Sequence, residues 1–383
     1  MERSFVRRGI MNSIHRIVLT CMMLFAFAAA AEDCAPLPNL PARTPIVEIT
    51  IAKSPPAPVL SIQSPDARDV LGGFEGGTVV KTGDRYHAFM TEMMRGWDTG
   101  SAFIKTRLAD WVSSDGMHWR RVGTVFSSTG DNTGADPRAA LWAPMPVYNS
   151  AEQRWNLFYV AYRSKPNVPP AWYLNYDGEL VRAVSQVKGR EGIDGPYRDA
   201  GIVMRTGPGS DKWEGLQGDD SVSPYPAEGR WFTFYGSSDT GKALHSWQVG
   251  LASAPELSGP WKRCSSLNPV PLGHFVENPI VTKIGDTYVA IYDDLNPEQG
   301  QSMGYTASLD GVHWTAGKDL PLFPRAVAQP RTPLALLPNA DGTFDLFVTA
   351  LSTVTPANGG KAATAEVLYL LKVRVSISRS GKH

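Results

Sequence analysis

His274 to Asp294 reads HFVENPIVTKIGDTYVAIYDD: an acidic residue, a short apolar strand, a tight turn at Gly285-Asp286 and a second apolar strand. Four other stretches share that design. Glu75 stands eleven residues before Tyr86 in LGGFEGGTVVKTGDRYHAFMTEM, and Pro144 eleven before Trp155 in LWAPMPVYNSAEQRWNLFYVAY. Asp220 stands eleven before Trp231 in GDDSVSPYPAEGRWFTFYGSS, Pro333 eleven before Phe344 in RTPLALLPNADGTFDLFVTAL, and Glu277 eleven before Tyr288 in the opening stretch. Five strand-turn-strand units with aromatics 56 to 76 residues apart are the mark of a radial repeat. The expected fold is therefore all-β, a five-bladed β-propeller with its active site in the central channel. A pair of β-sandwiches is the structural alternative, disfavoured by the five-fold repeat.

A second tag recurs near the unit ends: SSDGMHW at Ser113–Trp119 and SLDGVHW at Ser308–Trp314, with looser versions at Asp194–Tyr197 (DGPY) and Ser258–Trp261 (SGPW). A glycine turn followed by an aromatic suits a strand that ends over the next blade's face. His118 and His313 recur within these tags, which argues for a structural role. Together the tags divide the chain near Leu71, Arg138, Glu214, Cys264 and Ala328.

Residues 1–31 read as a signal peptide. Arg7, Arg8 and Arg16 precede an apolar run from Ile17 that ends in small residues at Ala31, too short for a comfortable membrane span. Export is the implied destination, secreted or periplasmic. Residues 32–70 form a proline-rich lead-in whose Ile46–Ile51 segment (IVEITI) is a candidate ring-closing strand, with Glu366–Ser376 (EVLYLLKVRVS) as its partner. Residues 71–383 hold the propeller. Formal net charge is zero, which favours neither nucleic acid nor an anionic membrane as a partner. Beyond the leader only Cys34 and Cys264 remain; a disulfide and two free thiols are both open.

The first strand of each propeller blade lines the channel, so one register in successive blades converges on one mouth. Glu75, Asp220 (with Asp219 beside it) and Glu277 share that register. Carboxylates gathered in a pocket repel one another, and at least one then keeps its proton near neutral pH. Glycoside hydrolysis requires such a set, an acid for the leaving oxygen and a base or nucleophile.

The motifs resemble those of the five-bladed propeller glycosidases, glycoside hydrolase family 43 and its relatives in families 32, 68, 62 and 117. Leu141-Trp142-Ala143-Pro144 is similar to the W-A-P motif of family 43. Gly218-Asp219-Asp220-Ser221-Val222 resembles its D-P-S-V stretch, and Val276-Glu277-Asn278-Pro279 its E-x-P motif. Phe74-Glu75-Gly76-Gly77 with Asp84–Phe89 resembles the first-blade motif, with Glu in place of Asp. The resemblance implies Glu277 as general acid and Glu75 as base, or as nucleophile in a retaining variant. It implies Asp220 or Asp219 as the residue that orients Glu277 and keeps it protonated. Strict motif matching picks Asp219 and the eleven-residue register picks Asp220; adjacent strand residues point opposite ways, so only one faces the channel.

Candidate substrate contacts are Arg331, which could bind a sugar hydroxyl or hold an acid in an ion pair, His274, with a structural role as alternative, Asp136, with a turn as alternative, and the indoles Trp97 and Trp142, with Trp172 and Trp213 in similar loops, each with core packing as alternative. The expected partner is a carbohydrate, an oligo- or polysaccharide of furanoside or plant or microbial type. No cofactor is required. Asp293-Asp294 is a candidate calcium pair, short of a full oxygen cage. No zinc spacing, phosphate loop or serine nucleophile elbow is present. Two rivals remain: a retaining fructosidase or transglycosidase of the family 32 and 68 kind, and a non-catalytic glycan-binding propeller. Salt-bridged carboxylates in a plugged channel would favour the latter.

Overall fold

The computed structural model describes residues 34, 44–55, 57–96, 104–164, 175–238, 247–273, 275–296, 300–323, 327–355 and 361–379. The leader and the candidates Trp97, Trp172 and His274 lie outside the described residues.

After the N-terminal strand β1 (Pro45–Lys53), the first blade is β2 (Gly73–Thr82), β3 (Arg85–Met93), β4 (Thr106–Ser113) and β5 (Arg120–Ser127). The second is β6 (Ala140–Asn149), β7 (Arg154–Arg163), β8 (Tyr176–Ser185) and β9 (Tyr197–Arg205). The third is β10 (Asp220–Ala227), β11 (Arg230–Ser237), β12 (Gln248–Ala254) and β13 (Lys262–Arg263). The fourth is β14 (Val276–Ile284), β15 (Thr287–Asn296), β16 (Gly300–Ser308) and β17 (Lys318–Leu320). The fifth is β18 (Gln329–Pro338), β19 (Phe344–Val354) and β20 (Ala363–Arg379), completed by β1. Within each blade consecutive strands pair antiparallel, giving a five-bladed β-propeller. The only helical turns among the described residues are 3-10 turns at Pro65–Ala67 and Arg190–Asp194.

Each blade packs on its neighbours through both faces, which explains the pattern along the strands. The second strands β3 and β7 are buried almost throughout, β7 as a largely apolar run and β3 with His87, Thr91 and Glu92 among its buried residues, whereas the outer strand β5 is half open to water. Five apolar clusters form, one at each seam between blades. The tags pin these seams. Trp119 packs on Phe347, Tyr197 on Phe89, Trp261 on Phe158 and Trp314 on Phe234, with ring centroids 5.1 to 6.3 Å apart. Every tag thus covers the preceding blade, not the following one. In both DG-x-H-W tags the Asp carboxylate accepts the two backbone N–H groups of the turn and faces the His Nδ1, so His118 and His313 are fixed within their own turns.

The ring closes between its two ends. β1 pairs antiparallel with β20 from Pro45↔Arg379 to Lys53↔Lys372, placing Ile46–Ile51 against the C-terminal strand. Alternate residues Val47 and Ile49 point into the seam between the fourth and fifth blades. A Cys34–Cys264 disulfide ties the segment before β1 to the third blade. Replacing Ile49 by Ala should lower unfolding free energy by about 2–4 kcal/mol through the cavity it leaves. Glu48→Ala, on the exposed face of the same strand, should change it by less than about 0.5 kcal/mol. Urea unfolding of the two variants checks this; equal effects would mean that β1 does not close the core.

Candidate active site

Each innermost strand carries a β-bulge at an equivalent place. Pairing slips between Glu75 and Gly77, Trp142 and Met145, Asp220 and Ser223, Glu277 and Ile280, and Pro330 and Pro333. In the first four blades the bulged residue is left-handed: Gly76 (φ 60°), Ala143 (51°), Ser221 (55°) and Asn278 (51°). Three of these are not glycine, and such strain persists only where the surroundings hold it. A bulge of this kind turns the strand and re-aims the side chain beside it. The first blade needs a second glycine as well, since a Cβ on Gly77 would lie 2.0 Å from the Phe89 carbonyl oxygen.

Counted from these bulges, the equivalent positions are Glu75, Trp142, Asp220, Glu277 and Pro330, with Arg331 the next residue of the fifth blade. The eleven-residue spacing holds for the three acids and misplaces the second and fifth blades, where it points to Pro144 and Pro333. The turns after β6 and β18 are longer than those after β2, β10 and β14, which moves the equivalent position to Trp142 and to Pro330, next to Arg331. Beyond the bulges lies a narrow space of about 10 Å³, lined from all five blades by residues including Gly77, Ala143, Val222, Ile280 and Pro333.

Glu75, Asp220 and Glu277 are buried, at 5, 6 and 7% exposure, and Arg331 lies between two of them. One Arg331 nitrogen donates to Glu75 Oε1 at 2.7 Å; the other donates to Glu277 Oε2 at 3.1 Å and to Asp293 Oδ2 at 2.7 Å. Arg331 Nε is 3.8 Å from Glu366 Oε1. Burial, the neighbouring charge of Glu277 and that of Glu75 push Asp220 up to about 7, while the Tyr162 hydroxyl and the Ser221 N–H pull the other way. Glu75 is raised by burial against the pull of Arg331. Burial also raises Asp293 and Glu366 well above the usual carboxylate range, although Arg331 opposes both shifts. Both Glu366 oxygens lack a hydrogen-bond partner among the described residues, which suits a neutral acid.

Several expectations need correction. Asp219 does not face the channel. Its carboxylate takes Arg263 at 2.9 and 3.1 Å, an arginine it shares with Glu214. Burial raises Asp219 to about 8 against that pull. Trp142 holds a channel position, but its indole is 7% exposed and packs in the seam between the second and third blades, so it offers no open stacking face. Asp136 builds a turn: its carboxylate accepts the Arg138 N–H at 2.8 Å. Arg331 is engaged by carboxylates and is no free sugar donor. Asp293 holds the Arg331 guanidinium, and Asp294 accepts the Phe275 N–H. Sequence reasoning missed Glu366 and the contact of Asp293 with Arg331. Asp293 has one signal in hindsight: it is the cross-strand partner of Glu277.

No protein-family model and no curated protein matches the chain. Solved structures do. One described as a glycoside hydrolase shares 18% identity at a TM-score of 0.59, covering 86% of this chain and 94% of its own. A family 117 glycoside hydrolase from the marine bacterium Zobellia galactanivorans shares 15% at 0.55, covering 86 and 90%. An exo-1,5-alpha-L-arabinanase from a bovine ruminal metagenomic library shares 13% at 0.52, covering 78 and 93%. The likeness is one of fold across most of both chains.

Because Asp220 is raised from 3.8 to about 7, folding favours its protonated form. That contribution is fully present below about pH 4 and is lost as pH rises through about 7. Asp220→Asn removes the ionising group, so stability relative to the parent should be higher at pH 8 than at pH 5. Denaturant melts at the two pH values check the sign; a pH-independent difference would show that Asp220 is already ionised in the folded chain.

Proposed function

We propose that this chain is an exported glycoside hydrolase acting on furanoside-containing oligo- or polysaccharides, with inversion at the anomeric carbon. The observation that carries the reading is the delivery of Glu75, Asp220 and Glu277 to one axis by equivalent bulges on three blades. The shared fold with an arabinanase and a family 117 glycosidase supports the substrate class, and the disulfide fits an oxidising compartment.

The charge balance supports a proton donor at neutral pH. One guanidinium faces Glu75, Glu277, Asp293 and Glu366, with Asp220 beside them, so it cannot neutralise them all. Protons must remain on some of these groups. Glu75 takes the shorter Arg331 bond and serves as the base that activates water. Glu277 is the acid that protonates the leaving oxygen, and Asp220, raised to about 7, stands beside it. A retaining route would make Glu75 the nucleophile.

One observation favours a second reading, a glycan-binding propeller without turnover: Arg331 bridges the proposed acid and base. Turnover separates the two. Purified protein should release arabinose or short oligosaccharides from arabinan or aryl arabinofuranosides, with the inverted anomer formed first. Glu277→Gln and Glu75→Gln should each lower kcat by about 10²–10⁴-fold while leaving the melting temperature near that of the parent. Glycan binding with no product from any such substrate would support the second reading, and full activity in Glu277→Gln would remove the acid assignment.

A further inference from the structure

A second cluster lies between the first two blades, on strands other than those lining the channel. His87 is on β3, Asp110 on β4, and Asp194 ends the 3-10 turn Arg190–Asp194 before β9. His87 Nδ1 is 3.3 Å from Asp110 Oδ2 and 3.3 Å from Asp194 Oδ1, and one ligand atom from each residue fits within 4.8 Å. His87 and Asp110 are each 2% exposed, while the Asp194 side chain is half open to water.

The hydrogen bond between His87 Nδ1 and Asp110 Oδ2 accounts for one contact of the trio and leaves the others. Nδ1 carries either one proton or one lone pair, yet two carboxylate oxygens approach it equally. Asp110 Oδ1 is buried and has no hydrogen-bond partner among the described residues, a costly state for a carboxylate. A cation would answer both points with Asp110 bound through both oxygens: it bonds the Nδ1 lone pair, draws in Asp194 and gives the orphaned Oδ1 a partner. The spacing suits zinc. Around a tetrahedral ion with bonds of about 2.0–2.2 Å, ligand atoms lie about 3.3–3.5 Å apart. One imidazole and two carboxylates form a mixed nitrogen and oxygen set that zinc accepts, whereas calcium asks for six to eight oxygens.

The third ligand is held in place before any ion arrives. The Arg190 carbonyl accepts the Trp155 indole N–H at 2.9 Å, the Gly192 carbonyl accepts the Ser185 hydroxyl at 2.6 Å, and the Ile193 carbonyl accepts the Tyr197 hydroxyl at 2.7 Å. Tyr197 in turn packs edge-on against Phe89 of the first blade. We propose that His87, Asp110 and Asp194 form a zinc site, with water as fourth ligand, that clamps the outer turn of the second blade to the first. It is independent of the axial carboxylates and of the glycosidase reading. The three ligands come from separate segments, so no short spacing motif reveals them.

The test uses the whole mature chain, stripped with a chelator and titrated with Zn²⁺ by calorimetry, with thermal unfolding alongside. One Zn²⁺ per chain should bind and raise the melting temperature. Asp194→Asn alters a solvent-facing side chain, so it should keep the metal-free melting temperature, lose the zinc-dependent rise and weaken binding by about tenfold or more. Absence of Zn²⁺ binding would overturn the proposal, as would a preference for Ca²⁺. Binding that persists unchanged in Asp194→Asn would assign the ion to adventitious ligands such as the exposed His118–Asp115 pair, with the same consequence.

Discussion

One guanidinium on the axis holds the centre of this molecule together. Arg331 reaches Glu75 from the first blade and Glu277 and Asp293 from the fourth, while Glu366 stands beside it in the fifth. Water is nearly excluded, so unpaired charges there would be expensive. The cation stabilises ionised partners, and burial keeps the surplus carboxyls neutral. Two opposed tendencies therefore meet in a few ångströms: carboxylates fixed for charge and carboxylic acids fixed for protons. A substrate entering such a site would meet both a base and a proton source.

Geometry delivers those groups. A regular innermost strand would alternate its side chains between blade faces and aim few of them along the axis. The repeated bulge breaks that alternation at one place per blade, and the left-handed residue after it is strained in Ala143, Ser221 and Asn278. Ser221 Oγ donates to Asn278 Oδ1 at 3.1 Å, so two of the strained residues are joined across a seam. The cost of the strained backbone is tolerated because the surrounding blades hold it, and the benefit is convergent aim.

How much of this was legible in the sequence follows from the same geometry. Five units and three channel acids could be read because the first, third and fourth hairpins share one turn length, so a fixed spacing to an aromatic measures a fixed height on the axis. Longer turns in the second and fifth units broke that ruler, so it pointed to Pro144 instead of Trp142 and to Pro333 instead of Pro330, the neighbour of Arg331. Asp219 and Asp220 could not be separated by pattern alone; Arg263, a long way down the chain, decides which way Asp219 faces. Glu366 and the His87–Asp110–Asp194 trio were invisible for a related reason. Their partners arrive from other strands and other blades, and local periodicity carries no information about such meetings. The tags were legible as seam elements, but their direction was not, since a glycine turn and an indole fit either neighbouring blade equally well.

Glu366 links ring closure to the site. It pairs in parallel with Gly73 at the start of β2, where a Cβ would lie 2.0 Å from the Glu366 carbonyl oxygen, so the first and fifth blades meet backbone to backbone at that residue. Its strand is held on one side by β19 and on the other, farther along, by β1 from the N-terminus. The position of the Glu366 carboxyl relative to Glu75 and Arg331 therefore depends on how well the two ends of the chain are joined. An open-ended sheet could carry the same side chains, but it would leave the last of them on a loose edge. Ring closure confers stability on the fold and, through one buried acid, sets the electrostatics of the axis.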